Sequence, residues 1–183
     1  YDRKRKIELT PLKLQCWRTK KRPPYTFMDS DLSYNPTDIE NGLKLIDRNG
    51  KLIASWQANF YDHFPRPKHL RSPPRTNNHV ALHGALINKD GSVVFNYDYA
   101  GTVKLDNCGK IIWTLSEQTH HSVEKSENGG YWIGSRREIK SDPNLRLFPF
   151  KPFYVEDLII KVSEDGKIEK TISVPEILKN NQL

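Results

Sequence analysis

This chain has few cysteines, no long apolar run and almost no helical periodicity, and each shortage excludes a class of protein. Only Cys16 and Cys108 occur among its 183 residues, too few for a disulfide framework. They form neither a CxxC motif nor a zinc-type spacing. Two free thiols are the default expectation, with Cys108 exposed at a hairpin tip; a single long-range bridge between them is the alternative in an oxidising compartment. No apolar run approaches the roughly 18 residues of a membrane-spanning helix. No nucleic-acid-binding module is recognisable, so nucleic acid is not an expected partner. The histidines show no compact ligand spacing and no neighbouring cysteine or carboxylate cluster, so no metal and no cofactor are assigned.

Charge is unevenly spread. Lysine and arginine exceed aspartate and glutamate by 29 to 22, a net charge of +7. Much of the excess sits in Arg3, Lys4, Arg5, Lys6, Arg18, Lys20, Lys21 and Arg22. Such an arm could bind nucleic acid or anionic lipid, or be a solvated flank, or be a positive segment following a removed membrane anchor. Residues 1–40 are read as an irregular basic segment, because Pro11, Pro23, Pro24 and Pro36 interrupt any long element. The chain opens on Tyr1 and closes on a polar tail at 179–183, which reads as a piece of a longer polypeptide.

From Gly42 a repeated hairpin tip appears. Asp47-Arg48-Asn49-Gly50-Lys51 recurs as Asp106-Asn107-Cys108-Gly109-Lys110 and as Ser163-Glu164-Asp165-Gly166-Lys167. Each joins two short apolar-alternating runs, the strongest short-range hairpin signal. Leu43–Ile46 should pair with Leu52–Trp56, Thr102–Leu105 with Ile111–Trp113, and Leu158–Val162 with Lys167–Ile172. Ala85–Ile87 should pair with Ser92–Phe95 across Asp90-Gly91, and Ser122-Val123 with Tyr131–Ile133 across Asn128-Gly129-Gly130. Residues 61–77 read as a loop, and a short helical turn is expected only at Pro175–Lys179.

The interval from His83 to His121 equals the interval from Gly91 to Gly129. The later interval, from Gly109 to Gly166, is longer, and a Pro- and Phe-rich insertion at Lys140–Tyr154 accounts for the surplus. A unit of roughly 40 residues with four antiparallel strands is the signature of a propeller blade. The fold class expected is therefore all-β, a partial β-propeller of about two and a half blades over residues 41–178. A half blade spans 42–56, and full blades span 79–115 and 119–174. A β-sandwich is the alternative, but it does not require an internal repeat.

In a propeller the first strand of each blade lines the central channel. His83 and His121 should then lie close together, and strand alternation should turn one of Arg136 and Arg137 inward. His120 could replace His121 as the inward member of its pair. The result would be a positive pocket with a titratable group, suited to an oxygen-rich anion. Trp56 and Trp113 should pack between blades, and Asp47 and Asp106 should brace their turns. His63, His69 and His79 receive no role.

Several of these segments resemble bacterial arylsulfotransferase-like proteins. The resemblance rests on Gly42–Lys51, Leu82-His83-Gly84, Gly101–Asp106, Thr119-His120-His121-Ser122 and Ser135-Arg136-Arg137, and it covers roughly residues 40–175. It implies a propeller that transfers a sulfuryl group from an aryl sulfate to a phenol through a sulfated histidine, without a nucleotide donor or other cofactor. It implies catalytic support from His121, Arg136 and Arg137 and substrate binding by His83 and His120. The nucleophilic histidine would lie in a later blade, past Leu183, so this stretch alone should be inactive. An exported protein, periplasmic or anchored in a membrane facing the periplasm, is likewise implied. The rival expectation is a non-catalytic propeller that binds an anionic or phenolic ligand or a protein partner.

Overall fold

The computed structural model describes residues 42–47, 49–140 and 153–181. The basic arm, Cys16, most of the Lys140–Tyr154 insertion and the last two residues lie outside the described residues. What is described is all-β and antiparallel, with two short helices. A hairpin of β1 (Gly42–Ile46) and β2 (Leu52–Gln57) comes first, followed by α1 (Phe60–His63). Two four-stranded meanders follow: β3 (Leu82–Ile87), β4 (Val93–Tyr97), β5 (Gly101–Leu105) and β6 (Ile111–Leu115), then β7 (Gln118–Lys125), β8 (Tyr131–Ile139), β9 (Tyr154–Val162) and β10 (Ile168–Ser173). The helix α2 (Val174–Asn180) ends the described chain. The described residues do not close into a ring.

All five expected hairpins form, because their tips carry the right turn chemistry. The Asp47 carboxylate accepts from the Asn49 and Lys51 backbone N–H groups at 2.8 and 2.9 Å, and Asp106 accepts from Cys108 and Lys110 at 2.8 Å each. In the third tip, where serine replaces aspartate, the Ser163 hydroxyl accepts from Lys167 N–H at 3.0 Å. The glycine of each tip is left-handed, with φ from 79° to 84°, a conformation that costs glycine nothing. The helical turn expected at Pro175–Lys179 is α2, with Pro175 in its first turn and the Ser173 hydroxyl accepting from Glu176 N–H at its start. At the start of the segment read as a loop, and reaching one residue before it, Phe60–His63 is helical. Phe60 is fully buried there and packs edge-on against Tyr97, an anchor that proline content alone did not suggest. Cys108 takes part in a disulfide, in place of the free thiol expected by default.

The sheets stack face to face, and β4 shows why. All five of its residues are buried, and alternation divides them between two cores. Val93, Phe95 and Tyr97 face the first hairpin and α1, in a core with Leu43, Trp56, Phe60, Val103 and Leu105. Val94 faces the second sheet, with Trp113, Leu115, Tyr131, Ile133 and Ile160. Each such side chain, fully removed from water, contributes about 1.5–3 kcal/mol. A strand buried on both faces lacks the polar alternation of an exposed sheet, and Val93-Val94-Phe95 has none.

A repeated indole joins consecutive modules. Trp56 Nε1 donates to the Asp106 carbonyl in the next module's tip at 2.9 Å, and Trp113 Nε1 donates to the Glu164 carbonyl in the following tip at 2.9 Å. Both indoles are buried, as expected for packing between modules. The third tip also anchors an ionic cluster. The Glu164 carboxylate meets Lys104 at 2.9 Å, Tyr131 Oη at 3.0 Å and Gly130 N–H at 3.0 Å, and it pairs with Lys125.

Candidate functional site

The first strands of the two sheets, β3 and β7, run beside one another. His83 lies on β3, and His120 and His121 lie on β7. The rings of His83 and His121 are 5.8 Å apart and close to perpendicular, with 77° between their planes. His120 lies 4.8 Å from His121, ring to ring. The expected convergence of the imidazoles is therefore present.

The ladders pair these histidines differently from the repeat spacing. His83 faces Asn96 and His120 faces Gly134, two partners separated by the same interval as Gly91 and Gly129. By register, His120 is the counterpart of His83. Both first strands bulge just beyond this point, and the β7 bulge carries one more residue. His121 is in that bulge, with φ of 56°. A left-handed non-glycine residue costs on the order of 1–3 kcal/mol, so the surroundings must hold it. Asn96, fully buried, donates through Nδ2 to the His121 carbonyl at 3.0 Å. Gly84 backs onto the same carbonyl so closely that a Cβ there would lie 1.9 Å from it. The bulge breaks strict alternation, which lets His120 and His121 both reach the site.

Sequence reading missed two members, Asp98 and Tyr99, which come from the β4–β5 turn. Asp98 Oδ1 lies 3.2 Å from His83 Nδ1. Tyr99 is also left-handed, with φ of 56°, and its ring packs 5.0 Å from His120. The guanidinium of Arg136 lies 3.7 Å above the Tyr99 ring and donates from Nε to Gln118 Oε1 at 2.8 Å. The stack thus runs from Arg136 through Tyr99, His120 and His121 to His83. The signal for these residues was the Asn96-Tyr97-Asp98-Tyr99 run just before the Gly101 strand. Its polar members were not placed because the turn falls between two hairpins rather than at a tip.

Arg136 and Arg137 separate as adjacent strand residues must. Arg136 lines a cleft of about 430 Å³ with Tyr99, Asp98, Gln118, Arg71 and Glu138. Arg137 pairs with Glu156, a buried carboxylate that also accepts from the Ser173 hydroxyl. His83, His120 and His121 do not line this cleft, and its charge is mixed, with Asp98 and Glu138 beside Arg71 and Arg136, so the positive pocket expected around the histidines is not this cleft. His120 is mostly buried and donates from Nε2 to the Ser135 carbonyl at 3.1 Å, while His121 is exposed. Of the histidines left without a role, His63 bonds the Tyr97 hydroxyl at 2.7 Å and His69 meets the Ala100 carbonyl at 2.9 Å. Burial lowers the pKa of His63, against a smaller upward pull from Asp62.

Beneath the site, the Thr102 hydroxyl donates to Asn96 Oδ1 at 2.7 Å and accepts from the Thr119 hydroxyl at 2.9 Å. These buried groups bridge the two sheets directly under the histidines. They leave the Asn96 amide free of rotational choice and fix its donor toward His121. Comparison with protein-family models, with curated proteins and with solved structures finds no match.

Proposed function

We propose that the two meanders are successive blades of a β-propeller, with the first hairpin as the outer half of a preceding blade. Their shared site serves chemistry of the arylsulfotransferase type: transfer of a sulfuryl group from an aryl sulfate to a phenol through a histidine intermediate. The observation that carries this reading is the convergence of His83, His120 and His121 with Arg136 stacked on Tyr99. An aryl sulfate needs an aromatic wall for its ring and a planar cation for its oxygens. Arg136, held over the Tyr99 ring, supplies the cation, and the exposed His121 ring supplies an aromatic surface.

On this reading Arg136 holds the sulfuryl oxygens, where negative charge grows as the bond to the phenolate breaks. His121, exposed and within reach of His83, moves the proton between phenol and phenolate. His120 and His83 shape the binding surface. Arg137, committed to Glu156 on the opposite face, has the lesser part. The nucleophilic imidazole belongs to another blade, and a ring of four to eight blades completes the channel.

The test uses the longest polypeptide containing these residues, with 4-nitrophenyl sulfate as donor and phenol as acceptor. Nitrophenolate release and phenyl sulfate formation are measured together. His121→Ala should abolish transfer. Arg136→Ala should lower kcat/KM about a hundredfold, as loss of one oxyanion contact does, while Arg137→Ala should change it only a few-fold. Unchanged turnover in His121→Ala removes that residue from the mechanism. Binding of 4-nitrophenyl sulfate without turnover by the unmodified protein would favour the non-catalytic propeller instead.

A further inference from the structure

We infer that His83, Asp98 and His121 form a binding site for one divalent transition-metal ion of the zinc class. The three residues come from β3, the β4–β5 turn and the β7 bulge, and the donor atoms they offer all lie within 4.8 Å of one another. Metal–ligand bonds of about 2.0–2.2 Å in a tetrahedron place ligand atoms roughly 3.4 Å apart. His83 Nδ1 and Asp98 Oδ1, at 3.2 Å, already meet that spacing. His121 is exposed, so its ring has room to turn the remaining distance.

A second observation points the same way. Asp98 Oδ1 is shut off from water and receives no hydrogen bond among the described residues. Its contact with His83 Nδ1 at 3.2 Å is an ion pair only when that imidazole is protonated. A desolvated carboxylate oxygen without a donor is costly, and a cation between it and two imidazoles removes that cost. The neighbouring backbone is built to hold this arrangement. Asn96 and Gly84 pin the left-handed His121 from below, although its φ of 56° is unfavourable for a residue with a side chain.

The donor set selects the ion. Two imidazole nitrogens and one carboxylate suit zinc, cobalt, nickel or ferrous iron, whereas calcium and magnesium require oxygen ligands. Three protein ligands with an exposed third member leave a coordination position open to water or to a substrate oxygen. The inference does not depend on the proposed sulfuryl transfer. Where both hold, an ion held by His83, Asp98 and His121 would supply Lewis-acid chemistry and a bound water in place of the free imidazole of His121.

The experiment is performed on the full chain, tag-free and dialysed against chelator. Cobalt(II) is titrated and followed by its visible absorption, then displaced with zinc(II) in a calorimeter. One equivalent of cobalt should bind, with zinc displacing it and millimolar calcium or magnesium leaving it in place. Asp98→Asn, which keeps the side-chain shape, and His121→Ala, at an exposed position, should each weaken zinc binding at least about a hundredfold. That exceeds the roughly 10–100-fold typical of losing only an outer-shell partner. His79→Ala, an exposed histidine near the same cleft, should bind as the unmodified chain does. Far-ultraviolet circular dichroism checks that each variant is folded. Stoichiometry well below one, or wild-type affinity in both Asp98→Asn and His121→Ala, overturns the inference. Metal binding without sulfuryl transfer leaves it standing and removes only the proposed reaction.

Discussion

Replacing Glu164 with glutamine should weaken the chain by an amount that depends on pH in a defined way. The Glu164 carboxylate sits on the tip between β9 and β10 and reaches Lys104 of the neighbouring sheet. Partial burial pushes its pKa up. Hydrogen bonds from Lys125, Lys104, the Gly130 N–H and Tyr131 outweigh that and hold it at about 2, against an ordinary 4.5. At about 1.36 kcal/mol per tenfold change in proton affinity, this difference would cap the contribution at roughly 3.4 kcal/mol. The side chain is 50% exposed, so water and salt screen much of it, and about 1–1.5 kcal/mol is expected. The folded pKa lies below the unfolded one, so ionisation favours the folded state. The contribution is complete above about pH 4.5 and fades as pH falls toward 2, being lost below the folded pKa. Glu164→Gln lacks it at every pH. Urea unfolding, followed by tryptophan fluorescence between pH 7 and pH 2, should show a gap of about 1–1.5 kcal/mol at neutral pH that shrinks toward zero near pH 2. A gap that stays constant with pH, or one under about 0.3 kcal/mol at pH 7, would refute the ionic account.

Gly84→Ala should destabilise the chain by at least about 2 kcal/mol, because it combines a left-handed backbone with a Cβ placed 1.9 Å from the His121 carbonyl. Thermal unfolding would show it, and alanine tolerated without loss would mean that the β7 bulge is not held from below. Trp113→Phe removes the hydrogen bond to the Glu164 carbonyl and part of a buried ring, and should cost about 1–3 kcal/mol in chemical denaturation. Trp56→Phe, which breaks the equivalent bond to Asp106, should cost a similar amount; unequal losses would argue against two equivalent junctions.

Much of this fold was legible from local chemistry. Asn-Gly, Cys-Gly and Asp-Gly tips flanked by β-branched runs define hairpins wherever they occur, since turn geometry depends on a few adjacent residues. The buried tryptophans were legible too, because a large apolar ring following a tip on a short strand has a packing surface to fill. The candidate site was legible only in part. The repeat identified His83 and His121 as candidates, yet the ladder pairs His83 with Asn96 and His120 with Gly134. A bulge one residue longer moves a side chain to a new place without changing the spacing between turn glycines. Asp98 lies between His83 and His121 in the chain and far from both, a separation that suggests no ligand motif.

Alternating apolar residues and turn-forming tips determined by themselves that this chain pairs into consecutive antiparallel hairpins, since both act over a handful of neighbouring residues. Only the tertiary structure decided which imidazoles meet and which carboxylate joins them. That outcome depends on how one sheet seats against the next, through Asn96, Gly84 and the left-handed turn at His121. Contacts between strands remote in sequence set that seating, and no local pattern encodes it.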